Sequence, residues 1–245
     1  MTGLPLVNHF PRMVLPMRIT LLLLALAAAA PAGAAERRYP VTDFDRIRVE
    51  GPYDVRVVTS GPSAATATSD PAGLEHVSID VEGRTLRIRP NRNAWGSSRN
   101  ATPGPLRVDV TTRDLRSATI IGSGSLSIDR ASGLRVDLSL SGSGSLTVAA
   151  ADADRLDIGL LGAGTIALAG KAKQLRASVQ GSGGLDAAAL QAADVELTLD
   201  TSGSVAVGAV RTAKVRAIGT GDTQIVGKPT CTVTGPAAVY VKCGR

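Results

Sequence analysis

Asp137 and Asp157 stand 20 residues apart in matching contexts, Arg135–Leu140 (RVDLSL) and Arg155–Leu160 (RLDIGL). Two carboxylates brought side by side can hold a hard cation such as calcium. On an exposed sheet they can also share the acid and base work of a polysaccharide lyase or glycosidase. Arg135 and Arg155 sit one outward position from them, and guanidinium groups neutralise such a pair more cheaply than a metal does. Calcium therefore remains a weak candidate at Asp137 and Asp157, and no other residues suggest a metal.

A second constellation is basic. Arg84, Arg87, Arg89, Arg92 and Arg99 gather around Trp95, a composition suited to an anionic glycan or a lipopolysaccharide phosphate. The bland reading is a solvated strand face, since Arg87 and Arg89 alternate with Leu86 and Ile88, running into the polar loop from Pro90 to Pro105. His76 is the one histidine beyond residue 35, and no nucleophile-elbow motif accompanies it. Cys231 and Cys243 fit no zinc spacing and have no histidine nearby, so a disulfide is their simplest use in an exported chain. Catalytic residues and cofactors are expected to be none.

Positioning these residues falls to a repeat. The segments Gly122–Leu126 (GSGSL), Gly142–Leu146 (GSGSL), Gly162–Ile166 (GAGTI) and Gly181–Leu185 (GSGGL) recur, and Thr201–Val205 (TSGSV) and Gly219–Thr223 (GTGDT) continue the series. Their second glycines, at 124, 144, 164, 183, 203 and 221, are spaced by 18 to 20 residues. Before each corner apolar and polar residues alternate, as in Val136, Leu138 and Leu140 against Asp137 and Ser139. A shorter alternation follows it, as in Leu126 and Ile128. Period two means a strand with one buried face. Each repeat is thus a strand, a tight glycine corner, a second short strand and a looser return. Stacked, such units form an all-β fold, a β-solenoid of two-strand coils. In that register Leu138, Ile158, Ala177 and Leu197 share one inward column. Asp137, Asp157, Arg176, Glu196 and Lys214 share one outward column. Nucleotide-binding Gly-x-Gly loops lead into a helix; here a strand follows every time.

Residues 36–110 read as a less regular β-rich part, with strands around Gly51-Pro52 and around Glu82-Gly83. Residues 111–228 hold the coils. Residues 229–245 read as a closing hairpin, stapled by Cys231 and Cys243, that caps the last coil. All of 36–245 forms one domain.

Residues 1–35 read as a cleaved secretory signal: Arg18, a mainly apolar run from Ile19 to Ala30, then small residues to Ala35. The run is too short to span a bilayer, which takes about 20 residues. Translation is expected to begin at Met17 or Met13. Removing these residues takes away Arg12 and Arg18 and no acid, leaving 25 basic against 21 acidic residues and a net charge of +4. That balance suits solubility and lacks the basic stripe of nucleic-acid binding. No transmembrane segment is expected in the remaining chain. Aromatic residues are too few to build a broad sugar-stacking platform: five remain beyond residue 35.

The order Phe44–Val49 (FDRIRV), Gly51–Val55 (GPYDV), Gly83 with Leu86–Ile88 (LRI), and then serial GSGS resembles the "putative auto-transporter adhesin, head GIN domain" family of exported bacterial proteins. The resemblance covers about residues 39–228. It implies a β-helix-like fold and a cell-envelope or surface location, and it assigns no activity and no site residues; with the cleaved signal, the expected destination is the periplasm, the outer-membrane surface or the outside of the cell. An autotransporter's membrane β-barrel would need more chain than follows Gly221. The expectation is a non-enzymatic envelope protein that binds a surface polysaccharide or protein. A β-helix lyase or glycosidase and a self-assembling scaffold are the alternatives.

Overall fold

The structure is a computed structural model and describes residues 35–91 and 105–244. The expected signal at 1–35 lies outside the described residues save Ala35, as do Arg92, Trp95 and Arg99. Ala34–Arg245 forms one compact unit.

The regular part is a parallel stack. Strands β9 (Ser125–Gly142), β10 (Ser145–Gly162), β11 (Thr165–Gly181) and β12 (Gly184–Thr201) each run from one glycine corner to the next, bending on the way. Each pairs in parallel with the coil before and after. β13 (Val205–Ala217) continues the stack. Ile158 pairs with Leu138 and Ala177, and Ala177 with Leu197, and all four are buried. The hydrophobic columns predicted from the period are therefore those of the core. The return, expected to be loose, also pairs in register, as Ala150–Asp152 against Arg130–Ser132. It lines the interior with small residues such as Ala131, Ala151 and Ala172.

The corners show why glycine recurs. The carbonyl of Gly122 accepts the N–H groups of Ser143 and Gly144, both at 3.1 Å, and the carbonyl of Gly142 accepts those of Ala163 and Gly164, both at 3.0 Å. One carbonyl thus satisfies two donors of the next coil, which brings backbone onto backbone. Gly142 adopts φ of +131°, and a Cβ there would lie 2.2 Å from the Gly122 oxygen. Thr201 occupies the equivalent place one coil after Gly181 and spends its hydroxyl instead, donating to the Gly183 carbonyl at 3.0 Å and accepting from the Gly203 N–H at 2.9 Å.

The N-terminal part belongs to the same stack, in an order the chain does not follow. β2 (Arg46–Glu50) and β3 (Asp54–Val58) form a coil around Gly51. On one side of it lie β6 (Thr85–Pro90) and β7 (Arg107–Thr111); on the other lie β8 (Ser117–Gly122) and the start of β9. Antiparallel strands then finish that end: β5 (Val77–Glu82) along β6, and β4 (Ala64–Ser69) followed by β1 (Ala35–Tyr39) along β7. The short helix α1 (Pro71–Glu75), capped by the Asp70 carboxylate on the Gly73 N–H, buries Leu74. Ending a sheet on a charged strand such as β1 (AERRY) discourages pairing with another chain.

Asp45 holds this crossing together. Its N–H donates to the Arg84 carbonyl and its own carbonyl accepts from Arg116 and Ser117, so one residue ties three segments. Its side chain is 8% exposed, with Oδ2 accepting from Arg84 Nε at 3.1 Å and Oδ1 left without a hydrogen bond. Asp45→Ala is expected to destabilise the fold by about 1–3 kcal/mol, the cost of losing a buried hydrogen-bonded partner. A chemical denaturation midpoint unchanged from wild type would refute that.

The C-terminal hairpin does not form. β15 (Thr230–Thr234) pairs in parallel with β13, and β16 (Val241–Cys243) in parallel with β14 (Thr223–Val226). These strands are the two sides of a last coil, turned at Gly235 with φ of +104°. A Gly-Pro step between alternating runs suits a hairpin and a solenoid corner equally, and the pairing partner below decides. Cys231 and Cys243 are joined by a disulfide. They lie in register with Ala213 and with Ile225, both buried, so the bond continues the inward columns at the end of the stack, where Cys231 is half-buried and Cys243 exposed.

Candidate functional site

Outward positions on the strands that precede the corners make parallel columns across the stack. One reads Asp137, Asp157, Arg176, Glu196 and Lys214 in successive coils. Two residues further along each strand, a second column reads Ser139, Gly159, Ser178 and Thr198. Large charged residues beside small ones leave a shallow groove of about 570 Å3, walled by Asp137, Asp157, Arg176 and Glu196 and floored by the small column. Its length across four strands is about 14 Å, at the 4.7–4.9 Å spacing of paired strands. A smaller depression of about 230 Å3 lies on the other side of the charged ridge, against Gln174, Asp194 and Thr212.

The ridge is internally neutralised. Arg135 reaches Asp137 at 3.1 Å and Asp157 at 2.9 Å, and Arg155 reaches Asp157 at 3.0 Å. Arg176 meets Glu196 at 3.0 Å. The hydrogen bond to Asp137, and then the charges of Asp137 and Asp157, hold the Arg135 guanidinium more firmly protonated than usual. The aspartate pair is thus engaged by the two arginines that flank it. Among the described residues no three His, Cys, Asp or Glu side chains converge on a common point.

Asp194, on the same face, accepts from the Thr212 hydroxyl at 2.8 Å and from Arg211. The Thr212 hydrogen bond holds its carboxyl below the ordinary range; desolvation opposes it, and the hydrogen bond and charge of Arg211, with the charge of Lys214, add to the lowering. A depressed folded pKa stabilises the fold above the unfolded value of about 3.9, and the benefit fades as pH falls through the folded value. An NMR titration should therefore find the Asp194 midpoint below that of a model peptide, and Thr212→Val should raise it.

The arginine cluster is only partly in view. Arg87 pairs with Glu82 at 3.0 Å, Arg89 with Asp80 at 3.3 Å, and Arg84 with Asp45. Arg87 and Arg89 share the outward side of β6, in register with Asp80 and Ser78 of β5. Arg84 instead sits at the Gly83 turn, reaching across to Asp45. Arg92, Trp95 and Arg99, the rest of the cluster, lie outside the described residues. His76 closes α1, its backbone N–H donating to the Gly73 carbonyl at 3.2 Å.

Sequence reasoning found the charged column and passed over the small one beside it. Ser139, Gly159, Ser178 and Thr198 carry no chemical flag singly, and they become a groove floor only once coils are set in register. Reading every second outward position across the repeats would have found them.

The sequence profile described as "putative auto-transporter adhesin, head GIN domain" matches residues 43–229. No curated protein matches the sequence. Among solved structures, a "putative adhesin" from Bacteroides fragilis superposes with a TM-score of 0.76 at 18% identity, covering 86% of this chain and 96% of its own. A "putative lipid binding protein" from Parabacteroides distasonis gives 0.65 at 21% identity, covering 87% and 97%. A "putative adhesin" from Parabacteroides merdae gives 0.61 at 16%, covering 88% and 97%. At these identities the likeness is one of fold.

Proposed function

This chain belongs to the family described as "putative auto-transporter adhesin, head GIN domain", and from that premise we propose an exported, non-enzymatic binding protein of the cell envelope. Residues 1–35 direct export and are removed, and residues 36–245 act as one domain. The solenoid presents the outward side of its grooved face to an extended surface partner, a polysaccharide or a protein. The observation that carries this reading is the groove itself: an open track with a charged wall and a floor of small residues that repeats once per coil, its carboxylates already bound to arginines. A lyase or glycosidase needs one carboxyl kept protonated and another left free to act, and the groove's carboxylates at Asp137, Asp157 and Glu196 are each held by guanidinium. Export is supported by the family and by the disulfide, which persists in oxidising compartments.

One neighbour carries lipid binding in its name. Here the coil interior is filled by side chains between 0% and 7% exposed, from Leu126 through Val215, so an acyl chain would find no room among them. A lipid would be held by its head group alone.

Purified protein offered a panel of neutral and anionic envelope polysaccharides is expected to retain at least one and release it unaltered. New reducing or unsaturated ends would overturn the non-enzymatic reading, and failure to retain any of them would overturn the polysaccharide partner.

A further inference from the structure

Gly159, at the centre of the groove floor, has no structural reason to be glycine. Inside a strand, glycine marks a bulge, a bend, or a point where another backbone or a ligand approaches closely. β10 pairs without interruption from Arg155 to Gly162 on both sides, which excludes a bulge. Its φ lies outside the left-handed region, unlike Gly142 or Gly162. A Cβ built there would meet nothing nearer than Ser139 Oγ at 3.9 Å, whereas at Gly142 and Gly144 it would lie 2.2 Å from a carbonyl of the preceding coil. Among the described residues no part of the chain thus approaches Gly159 closely, and glycine inside a strand costs conformational order. What remains is approach from outside.

The surroundings define the visitor's chemistry. Every acid and every arginine lining this groove is already paired within the face, so an anion or cation arriving there would have to displace an existing partner. A neutral hydrogen-bonding molecule would not. The carboxylates of Asp157 and Glu196 keep further lone pairs for hydroxyl donors. The hydroxyls of Ser139, Ser178 and Thr198 both donate and accept, and among the described residues no protein group engages them. Leu161, 55% exposed, follows Gly159 on the same side of β10 and offers an aliphatic rim. Because these groups recur at the coil spacing, they suit a repeating ligand better than a compact one.

We propose that this groove binds a neutral, polyhydroxylated chain, a glycan without charged substituents, laid along the stack with one sugar seated over Gly159. The proposal rests on the binding function above and adds the site and the ligand class.

The test uses the full protein with three neutral probes (dextran, galactomannan and xyloglucan) and two anionic ones (alginate and polygalacturonate), followed by affinity electrophoresis. Gly159→Val fills the floor with a side chain that strands favour, and Ser127→Val, exposed on the strand after the corner, serves as control. The expected result is that a neutral probe retards wild type and Ser127→Val alike, with little dependence on salt. Gly159→Val should bind it at least tenfold more weakly while melting no lower than wild type. Should valine prevent folding, Gly159→Ser, which matches the residues above and below it, carries the same comparison. Equal binding by wild type and the Gly159 variants would overturn the site while leaving the proposed function standing. Retardation by the anionic probes alone would overturn the ligand class. No retardation by any neutral probe would overturn the proposal.

Discussion

Gly142→Ala is expected to destabilise the protein severely, while Gly159→Ala, one methyl group added 17 residues later, leaves it as stable as before or slightly more so. At Gly142 two penalties coincide. The backbone sits at φ of +131°, where an L side chain is strained, and the new Cβ would stand 2.2 Å from the Gly122 oxygen. That oxygen cannot retreat, because it accepts the N–H groups of Ser143 and Gly144 and so fixes the coil spacing. Strain of about 1–3 kcal/mol from the dihedral and a comparable overpacking cost combine to roughly 4 kcal/mol or more, a large part of a domain's typical stability. Strand interiors favour alanine over glycine by roughly 0.5–1 kcal/mol, which is the gain expected at Gly159. Circular dichroism melts of the two variants would check the contrast. A folded Gly142→Ala with wild-type stability would mean that the corners are not the tight backbone stacks described above.

The same two glycines show what the sequence could reveal. Gly142 belongs to a motif repeated at nearly constant spacing, and repetition multiplies a weak signal until period, corner and inward face all become legible. Gly159 occurs once, in a cross-strand column where its neighbours are Ser139 and Ser178, and only the register of three strands exposes it as unexplained. Order along the stack was hidden for a different reason. Ile47 and Val49 of β2 alternate like any other strand, and a parallel strand carries no local mark of its partner, so nothing in residues 44–58 foretells a place between β6 and β8. The C-terminal misreading has a related cause. Gly235-Pro236 copies Gly51-Pro52, and both turn out to be corners: Gly51 donates its N–H to the Ile121 carbonyl at 3.0 Å, and Ala237 donates to the Ala217 carbonyl at 3.2 Å. Treating the two steps as one motif would have placed the last coil correctly. The charged column was legible because Asp137 and Asp157 repeat in closely matching contexts, whereas the pairing of Arg84 with Asp45 crosses 39 residues and has no sequence pattern behind it.

Removing the disulfide by Cys231→Ser with Cys243→Ser is expected to release the last coil without unfolding those before it. The bond closes a sequence separation of 12 residues, for which loop-closure entropy gives about 3 kcal/mol in a model-dependent way. Little else holds β15 and β16. Each pairs on one side only, and Val239 and Tyr240 between them are exposed at 81% and 42%. Neighbouring coils of a solenoid share stability mainly with their direct neighbours, so a loss at one end stays local until a coil fails. Hydrogen exchange is the decisive measurement: amides of Thr230–Thr234 and Val241–Cys243 should lose protection by a factor of roughly 100, the equivalent of about 3 kcal/mol, while those of β10 and β11 change little. Once the last coil frays, the edges of β13 and β14 and the buried side chains of Ala213, Val215 and Ile225 face solvent, and an unpaired parallel edge is a template for another chain. Light scattering should then find oligomers in the double serine variant, and in wild type only after reductant. Monomers under both conditions, with β15 still protected, would show that the coil stands without its staple.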